Sequence, residues 1–318
     1  MVLIVTERGD IHADLMVKEL QDRGEAFLRF NTEDYPQQAV LSWRTDGRRQ
    51  LRLMGQEHSL EDVDAVWYRR PVPPQMPAGM AEAAAAWAQG EAREALLGVW
   101  RTLDARWVNH PDKNRVAESK LNQLRVASDL GFEVPATLVT NDARAVQEFI
   151  AAQPTGVICK PLSDGHVPVG DEEHVFFTSR VIPDAVPLDD LGPEPYLFQA
   201  LVAKSFDVRV TVIGEDVFAA SIESQQDIET QTDWRRGRPG SLRHDVIDLP
   251  KTLAERCVAL CRRFGLLFGA IDLAGRPDGA FSFFEINPNG QWAWVEQQTG
   301  MPLLSRLADL LARPADRS

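Results

Sequence analysis

Nowhere in these 318 residues do about 18 apolar residues run together, so no segment reads as a membrane-spanning helix. The N-terminus opens with Val2-Leu-Ile-Val5, then Glu7 and Asp10, and lacks the basic start and long apolar stretch of a secretion signal. A cytoplasmic protein with no membrane partner is expected. Cysteine is scarce: Cys159, Cys257 and Cys261 cannot all pair, and the last two, spaced as helix neighbours, have no accompanying His or Cys for a zinc site. They read as core thiols. Basic residues are in deficit, 34 against 47 acids for a net charge of −13, which argues against non-specific nucleic-acid binding because phosphates need a basic face. Also missing are a Gly-x-x-x-x-Gly-Lys-Ser/Thr loop and a Gly-x-Gly-x-x-Gly after the first strand, so neither a Walker-type nor a Rossmann phosphate site is present.

What is there suits a soluble chain of two or three domains, 44% hydrophobic and 25% charged. Residues 1–106 read as a small α/β unit, with strands at 2–6 and 26–30, a helix near 12–23, strands near 39–44 and 49–54, and an apolar strand ending in Trp67-Tyr68. A proline-marked loop and a long Ala-rich helix around 79–104 follow. Residues 107–200 hold a helix near 113–130, strands at 135–139, 156–160, 175–178 and 195–200, and a helix capped by Asp142. Residues 201–318 hold strands at 206–213 and 216–223, a helix at 251–265, two further strands and a terminal helix at 302–312. The fold class is therefore mixed, α/β followed by α+β.

The most informative feature lies in those two further strands. Apolar runs at 266–273 and 280–286 flank the turn Gly275-Arg-Pro-Asp-Gly279, the pattern of an antiparallel pair. Asp272 ends the first, while Glu285 and Asn287, two apart, share a face on the second. A lone carboxylate beside Phe281, Phe283 and Phe284 needs a cation or donors to offset desolvation. Hard oxygen ligands of this kind suit Mg²⁺, which completes its shell with water and substrate phosphates, and a nucleotide substrate follows.

Lysines supply the complementary charge. Lys160 ends an otherwise apolar strand and Lys120 lies on the helix that begins after an Asn-His-Pro turn, positions where a cation is costly without an anion. The segment 234–244 holds Arg235, Arg236, Arg238 and Arg243 with no acid, a basic loop on an acidic body. With screening limiting reach to about 8 Å, a ligand feels that local sign; a merely solvated charge run is the alternative. Arg69 and Arg70, after the Trp67-Tyr68 strand, either meet an anionic ligand or pair with surface acids.

Taken together, residues 107–300 resemble the ATP-grasp superfamily, in which two α+β lobes hold ATP and ligate a carboxylate through an acyl phosphate. The resemblance is carried by Lys120, by Lys160 before Pro161, by the hinge-like Tyr196-Leu-Phe-Gln-Ala-Leu-Val202, by Asp207-Val-Arg-Val210, and by Asp272 with Glu285-x-Asn287. It implies a preceding pre-ATP-grasp domain, Mg²⁺ on Asp272, Glu285 and Asn287, and ATP held by Lys120 and Lys160. It further implies adenine near Gln199 and the Leu201 backbone, Lys204 or Asp207 toward the ribose or substrate, and Arg209 on the phosphates and acyl phosphate.

The fuller pattern, Trp67-Tyr-Arg-Arg-Pro71, Ser119-Lys-Leu-Asn-Gln-Leu124, Val134-Pro-Ala-Thr-Leu-Val-Thr140 and Glu285-Ile-Asn-Pro-Asn-Gly-Gln-Trp292, is similar to that of the graspetide maturases. These microviridin-type enzymes join Asp or Glu side chains of a precursor peptide to Ser, Thr or Lys. The partner implied is a leader plus an acidic core, drawn to the basic loop; a homodimer is compatible with the reading. Asp207 either orients or deprotonates the attacking group or forms a simple ion pair with Arg209. Two rivals stand beside this reading: another ATP-grasp ligase acting on a small metabolite or a protein tail, and a non-catalytic, nucleotide-regulated peptide binder.

Overall fold

The computed structural model describes residues 1–163, 165–169, 172–182, 191–238 and 240–313, with backbone alone for 166–169, 172 and 173. Asp164, within the predicted Ser163–His166 loop, lies outside the described residues. The first region runs β1 (Val2–Thr6), α1 (Ile11–Asp22), β2 (Phe27–Asn31), β3 (Ala39–Trp43), β4 (Arg49–Leu53), β5 (Gln56–Ser59), β6 (Ala65–Tyr68), α2 (Glu82–Trp100) and β7 (Arg106–Val108). Parallel pairing gives the sheet order β2-β1-β6-β7, and β3-β4-β5 form a separate antiparallel sheet. The apolar run of β1 is buried on both faces, as a central parallel strand demands. Val2 and Ile4 pack toward α1, while Leu3 and Val5 pack with Leu96 and Trp100 of α2.

The next elements are α3 (Pro111–Ala117), α4 (Lys120–Asp129), β8 (Thr137–Thr140), α5 (Ala143–Ala151), β9 (Val157–Lys160), β10 (His166–Val169), β11 (Glu172–Val175), β12 (Ser179–Arg180) and β13 (Tyr196–Ala200). Asp142 caps α5 by accepting from the Arg144 N–H. The helix expected over 113–130 is two helices, broken at Glu118 and Ser119, and the break makes Lys120 the first residue of α4. The strand expected at 175–178 lies earlier, with Val175 as its last residue.

The chain closes with β14 (Phe206–Ile213), β15 (Asp216–Ile222), β16 (His244–Val246), α6 (Lys251–Phe264), β17 (Phe268–Gly275), β18 (Phe281–Asn287), α7 (Ala293–Thr299) and α8 (Leu303–Ala312). These strands form one antiparallel sheet in the order β16-β15-β14-β17-β18. Strand period two decides its faces: Val208, Val210 and Val212 pack against α4 and α6, so Asp207, Arg209 and Thr211 point the other way. Helix α8 was anticipated; α7 was not. α8 buries Leu303, Leu307 and Leu311 against the β1 side of the first sheet. No helix among the described residues is long and apolar enough to cross a membrane.

Candidate active site

Three strands bring the charged residues into one row. Arg209 on β14 pairs with Asp272 on β17, and Asp272 pairs with Glu285 on β18, so the three side chains stand next to one another across the sheet. A bulge makes this possible. Register shifts by one residue after Asp272, so Leu273 opposes Phe283 and Phe284 is the extra residue. Without the shift, Phe281, Phe283 and Glu285 would share a face; with it, Phe283 and Ile286 enter the core while Glu285 turns to Asp272.

Lys120 Nζ donates to Glu285 Oε2 at 3.2 Å, and Arg235 Nη1 stands 3.8 Å from Oε1. Burial alone would raise the Glu285 carboxyl, yet Lys120, Lys160 and Arg235 hold it well below the usual range. Asp272 goes the other way: burial raises it, Arg209 only partly offsets that, and the neighbouring Glu285 adds to it. Arg209 Nε lies 3.1 Å from Asp272 Oδ1, but the approach is not that of a hydrogen bond and both atoms are buried without one. Such a carboxylate gains from a further cation. Asn287 joins them as a third oxygen group, its Oδ1 accepting from the Asn289 N–H at 2.8 Å. Among the described residues no three His, Cys, Asp or Glu gather as a metal cluster. Two carboxylates and an amide fit Mg²⁺ completed by water and phosphate oxygens, and do not fit zinc.

Two cavities meet at this row and share Trp234, Arg235, Asp272 and Glu285. The first, about 300 Å³, is lined by Lys120, Lys160, Gln199, Asp207 and Phe284. Lys160 is buried and donates to Gln199 Oε1 at 3.2 Å, while Gln199 Nε2 donates to Thr137 Oγ1 at 2.9 Å. Burial, with Lys120 and Arg235 adding to it, pushes the Lys160 ammonium down to about 8 against the pull of Glu285. The Leu201 N–H donates to Gly156 O at 2.9 Å, and Leu201 does not line the cavity.

The second cavity, about 450 Å³, is lined by Arg70, Arg209, Arg238, His244, Asn287 and Trp294. Arg209 lies under two indoles, 5.7 Å from Trp234 and 5.6 Å from Trp294. No ion pair joins Asp207 to Arg209. Asp207 instead takes Lys204 Nζ on both oxygens, at 2.7 and 2.8 Å, and the Ser224 hydroxyl at 2.5 Å, because Arg209 faces Asp272 across β17. Burial raises the Asp207 carboxyl, with Lys204 opposing.

The basic loop divides. Arg235 grips buried Asp233 at 2.8 Å through Nε and Nη2, and Arg236 Nη2 donates to Thr178 O and Ser179 Oγ. Arg238 lines the second cavity, whereas Arg243 is exposed, paired with Asp245, and lines neither. Arg69 is no surface residue: it is buried, 3.1 Å from Asp10, and its Nη1 donates to the carbonyls of Asn289 and Gly290.

Several positioning residues escaped the sequence reading. Asn109 donates to Phe268 O and Pro288 O and accepts from Leu267 and Phe268, tying β17 to the loop after Asn287. His12 Nε2 accepts from Trp292 and Ala293 of the same loop. Neither stood out in the sequence, since His12 lies between Asp10 and Asp14 and Asn109 beside His110.

Comparison with known proteins bears on this geometry. Residues 1–115 match the family model described as the MvdD pre-ATP grasp domain. The macrocyclase MdnC of Microcystis aeruginosa, solved with its precursor peptide MdnA, is 31% identical, with 98% of both chains covered and a TM-score of 0.86. A RiPP-associated ATP-grasp ligase of Chryseobacterium gregarium, solved with ADP and a leader and core peptide, is 30% identical over 98% of this chain and 96% of that one, with a TM-score of 0.90. Beta-citrylglutamate synthase B of Danio rerio is 25% identical over 277 residues, and this chain spans 62% of its length. Fold and site together define an ATP-dependent ligase of the ATP-grasp class. Within that class, the chain belongs to the family of ATP-grasp ligases that mature ribosomally made peptides.

Proposed function

We propose that the protein macrocyclises a ribosomally made, acidic precursor peptide by joining Asp or Glu side chains to Ser, Thr or Lys through an acyl phosphate, with release of ADP and phosphate. The observation that carries this is the meeting of a lysine-lined and an arginine-lined cavity at the Asp272–Glu285 row. In this reading residues 1–106 are the pre-ATP-grasp domain, and 107–200 and 201–318 are the two lobes.

Lys120 and Lys160 hold the phosphates of ATP, with the adenine end toward Gln199. Lys204 steadies Asp207 beside the nucleotide. Asp272, Glu285 and Asn287 would hold Mg²⁺, which would supply neutralisation of phosphate charge. Arg209, stiffened by its two indoles, orients the substrate carboxylate for attack on the γ-phosphorus. That step turns a poor oxide leaving group into phosphate, and the incoming hydroxyl or amine then displaces it. Alignment and charge neutralisation are the protein's contribution; no covalent nucleophile is required.

Intact-mass spectrometry of an acidic precursor peptide, sought among short reading frames beside the gene and incubated with enzyme, ATP and Mg²⁺, tests this. Loss of one water mass per ring is expected. ADP release with unchanged peptide mass points to a different acceptor. Glu285→Gln and Lys160→Ala are expected to stop ADP formation in folded protein, and turnover at the wild-type rate by either overturns the site assignment.

A further inference from the structure

Most arginines near the site already have a partner: Arg209 faces Asp272, Arg235 grips Asp233, Arg243 pairs with Asp245, and Arg69 meets Asp10. Arg70 and Arg238 differ. Both line the cavity of about 450 Å³, both are exposed, and neither makes an ion pair or side-chain hydrogen bond among the described residues. They come from distant parts of the chain, one from the turn after β6 and the other from the basic loop. On a body of net charge −13, two guanidinium groups that line one cavity with no acid paired to either stand out.

The backbone at Arg70 adds an independent observation. Its φ is +45°, a left-handed conformation uncommon outside glycine, between buried Arg69 and Pro71. Strain of this kind persists where the surroundings impose it, and it gathers at binding sites. Glycine would take this conformation without strain and without charge.

We propose that Arg70 and Arg238 form a carboxylate subsite at the exposed mouth of this arginine-lined cavity, which binds an acidic side chain of the peptide other than the one being activated. The inference rests on the peptide-ligase reading above and deepens it. Arg209 is buried on the sheet beside Asp272, so the carboxylate it orients lies deep. A second acid held at the mouth fixes the peptide's register and thereby decides which carboxylate reaches Arg209. Planar guanidinium groups suit this because they take carboxylates bidentately, and lysine would not substitute fully.

The test uses the full chain and the acidic precursor peptide of the mass-spectrometry experiment above, with binding read by fluorescence anisotropy and ring positions by fragmentation mass spectrometry. Arg70→Gln and Arg70→Gly are each expected to weaken precursor binding about tenfold or more. Replacing the core's acids by their amides one at a time should abolish the difference at a single position. The ring pattern should shift in both variants, and Arg238→Gln should act in the same direction. Wild-type affinity and ring pattern in Arg70→Gln overturn the proposal. So does a defect in Arg70→Gln that Arg70→Gly lacks, since that is a backbone effect. Failure of the ligase reading looks different: the wild type binds precursor but releases no ADP, and the affinity comparison still judges the subsite.

Discussion

Gln123 holds both backbone groups of Ile286: its Oε1 accepts the Ile286 N–H at 3.1 Å and its Nε2 donates to the Ile286 carbonyl at 2.9 Å. The pair joins α4, which begins with Lys120, to β18 one residue after Glu285, so the distance between the lysine and the carboxylate is set by a buried amide. Gln123→Leu keeps the bulk and removes the bonds. It is expected to destabilise the fold by about 1–3 kcal/mol for each orphaned backbone group, read as a lower midpoint in urea. ADP affinity should fall as well, because Lys120 is no longer fixed.

Gly290 offers a second handle on the same site. A Cβ there would stand 2.2 Å from the Ala270 Cβ and 3.3 Å from Arg209 Nη1, so the loop after Asn287 has to lift off the sheet. Displacement near 1 Å of an aligning group can lower the rate about 100-fold, and Gly290→Ala should lower kcat by that order. Lys120 and Lys160 are untouched, so calorimetric ADP affinity should stay near wild type. Equal losses in both would place the loop in nucleotide binding instead.

The acids and lysines of the site were legible in the sequence because Asp272, Glu285 and Lys160 lie within apolar strand runs and Lys120 on a helix beside them, where a charge needs a reason. Their arrangement was less so. Alternation puts Glu285 with Phe283, and only the bulge at Phe284, a matter of tertiary pairing, sends them to opposite faces. For Asp207 and Arg209, two apart on β14, a simple ion pair was one of two readings, but Asp207 takes Lys204, three residues earlier, and Arg209 faces Asp272 on β17. Arg69 read as surface because burying an arginine depends on Asp10, 59 residues away, and on the Asn289 and Gly290 carbonyls. Helix α7 is only seven residues long and lacks a side-chain cap, so it gave little periodic signal.

With Lys160 on the phosphates as proposed, nucleotide binding is expected to depend on pH. Burial lowers its ammonium to about 8 in the ligand-free protein, and a phosphate favours the charged form. As pH rises through that value the free protein loses the proton, so ADP affinity should weaken by up to about tenfold per pH unit above it. Lys160→Arg, permanently charged, should flatten the profile between neutral pH and about pH 9. Stability of the ligand-free protein runs oppositely. With the folded value below the unfolded one, the unfolded chain binds more protons in between, so this group's contribution to stability rises with pH from about 8 to the ordinary lysine value. An ADP affinity independent of pH over that range would remove Lys160 from the phosphate site.

The Asp10–Arg69 pair is buried on both sides, with side chains 4% and 2% exposed, and it links the first sheet to the loop that follows Asn287. Burial would raise Asp10, but bonds to His12 and Thr6 and the charge of Arg69 hold it well below the ordinary range. Arg69→Gln therefore leaves a buried carboxylate uncompensated, and removing one partner of such a pair costs about 3–5 kcal/mol. Adding Asp10→Asn should recover part of that loss, because the remaining amides are neutral. Activity should not recover with stability, since the Asn289 and Gly290 carbonyls still lack the guanidinium that fixes the loop. Urea unfolding and ADP release measured on the two single variants and the double variant separate these effects. Additive stability losses would show that the two residues do not act as a pair, and recovered turnover in the double variant would show that Arg69 does not position the site.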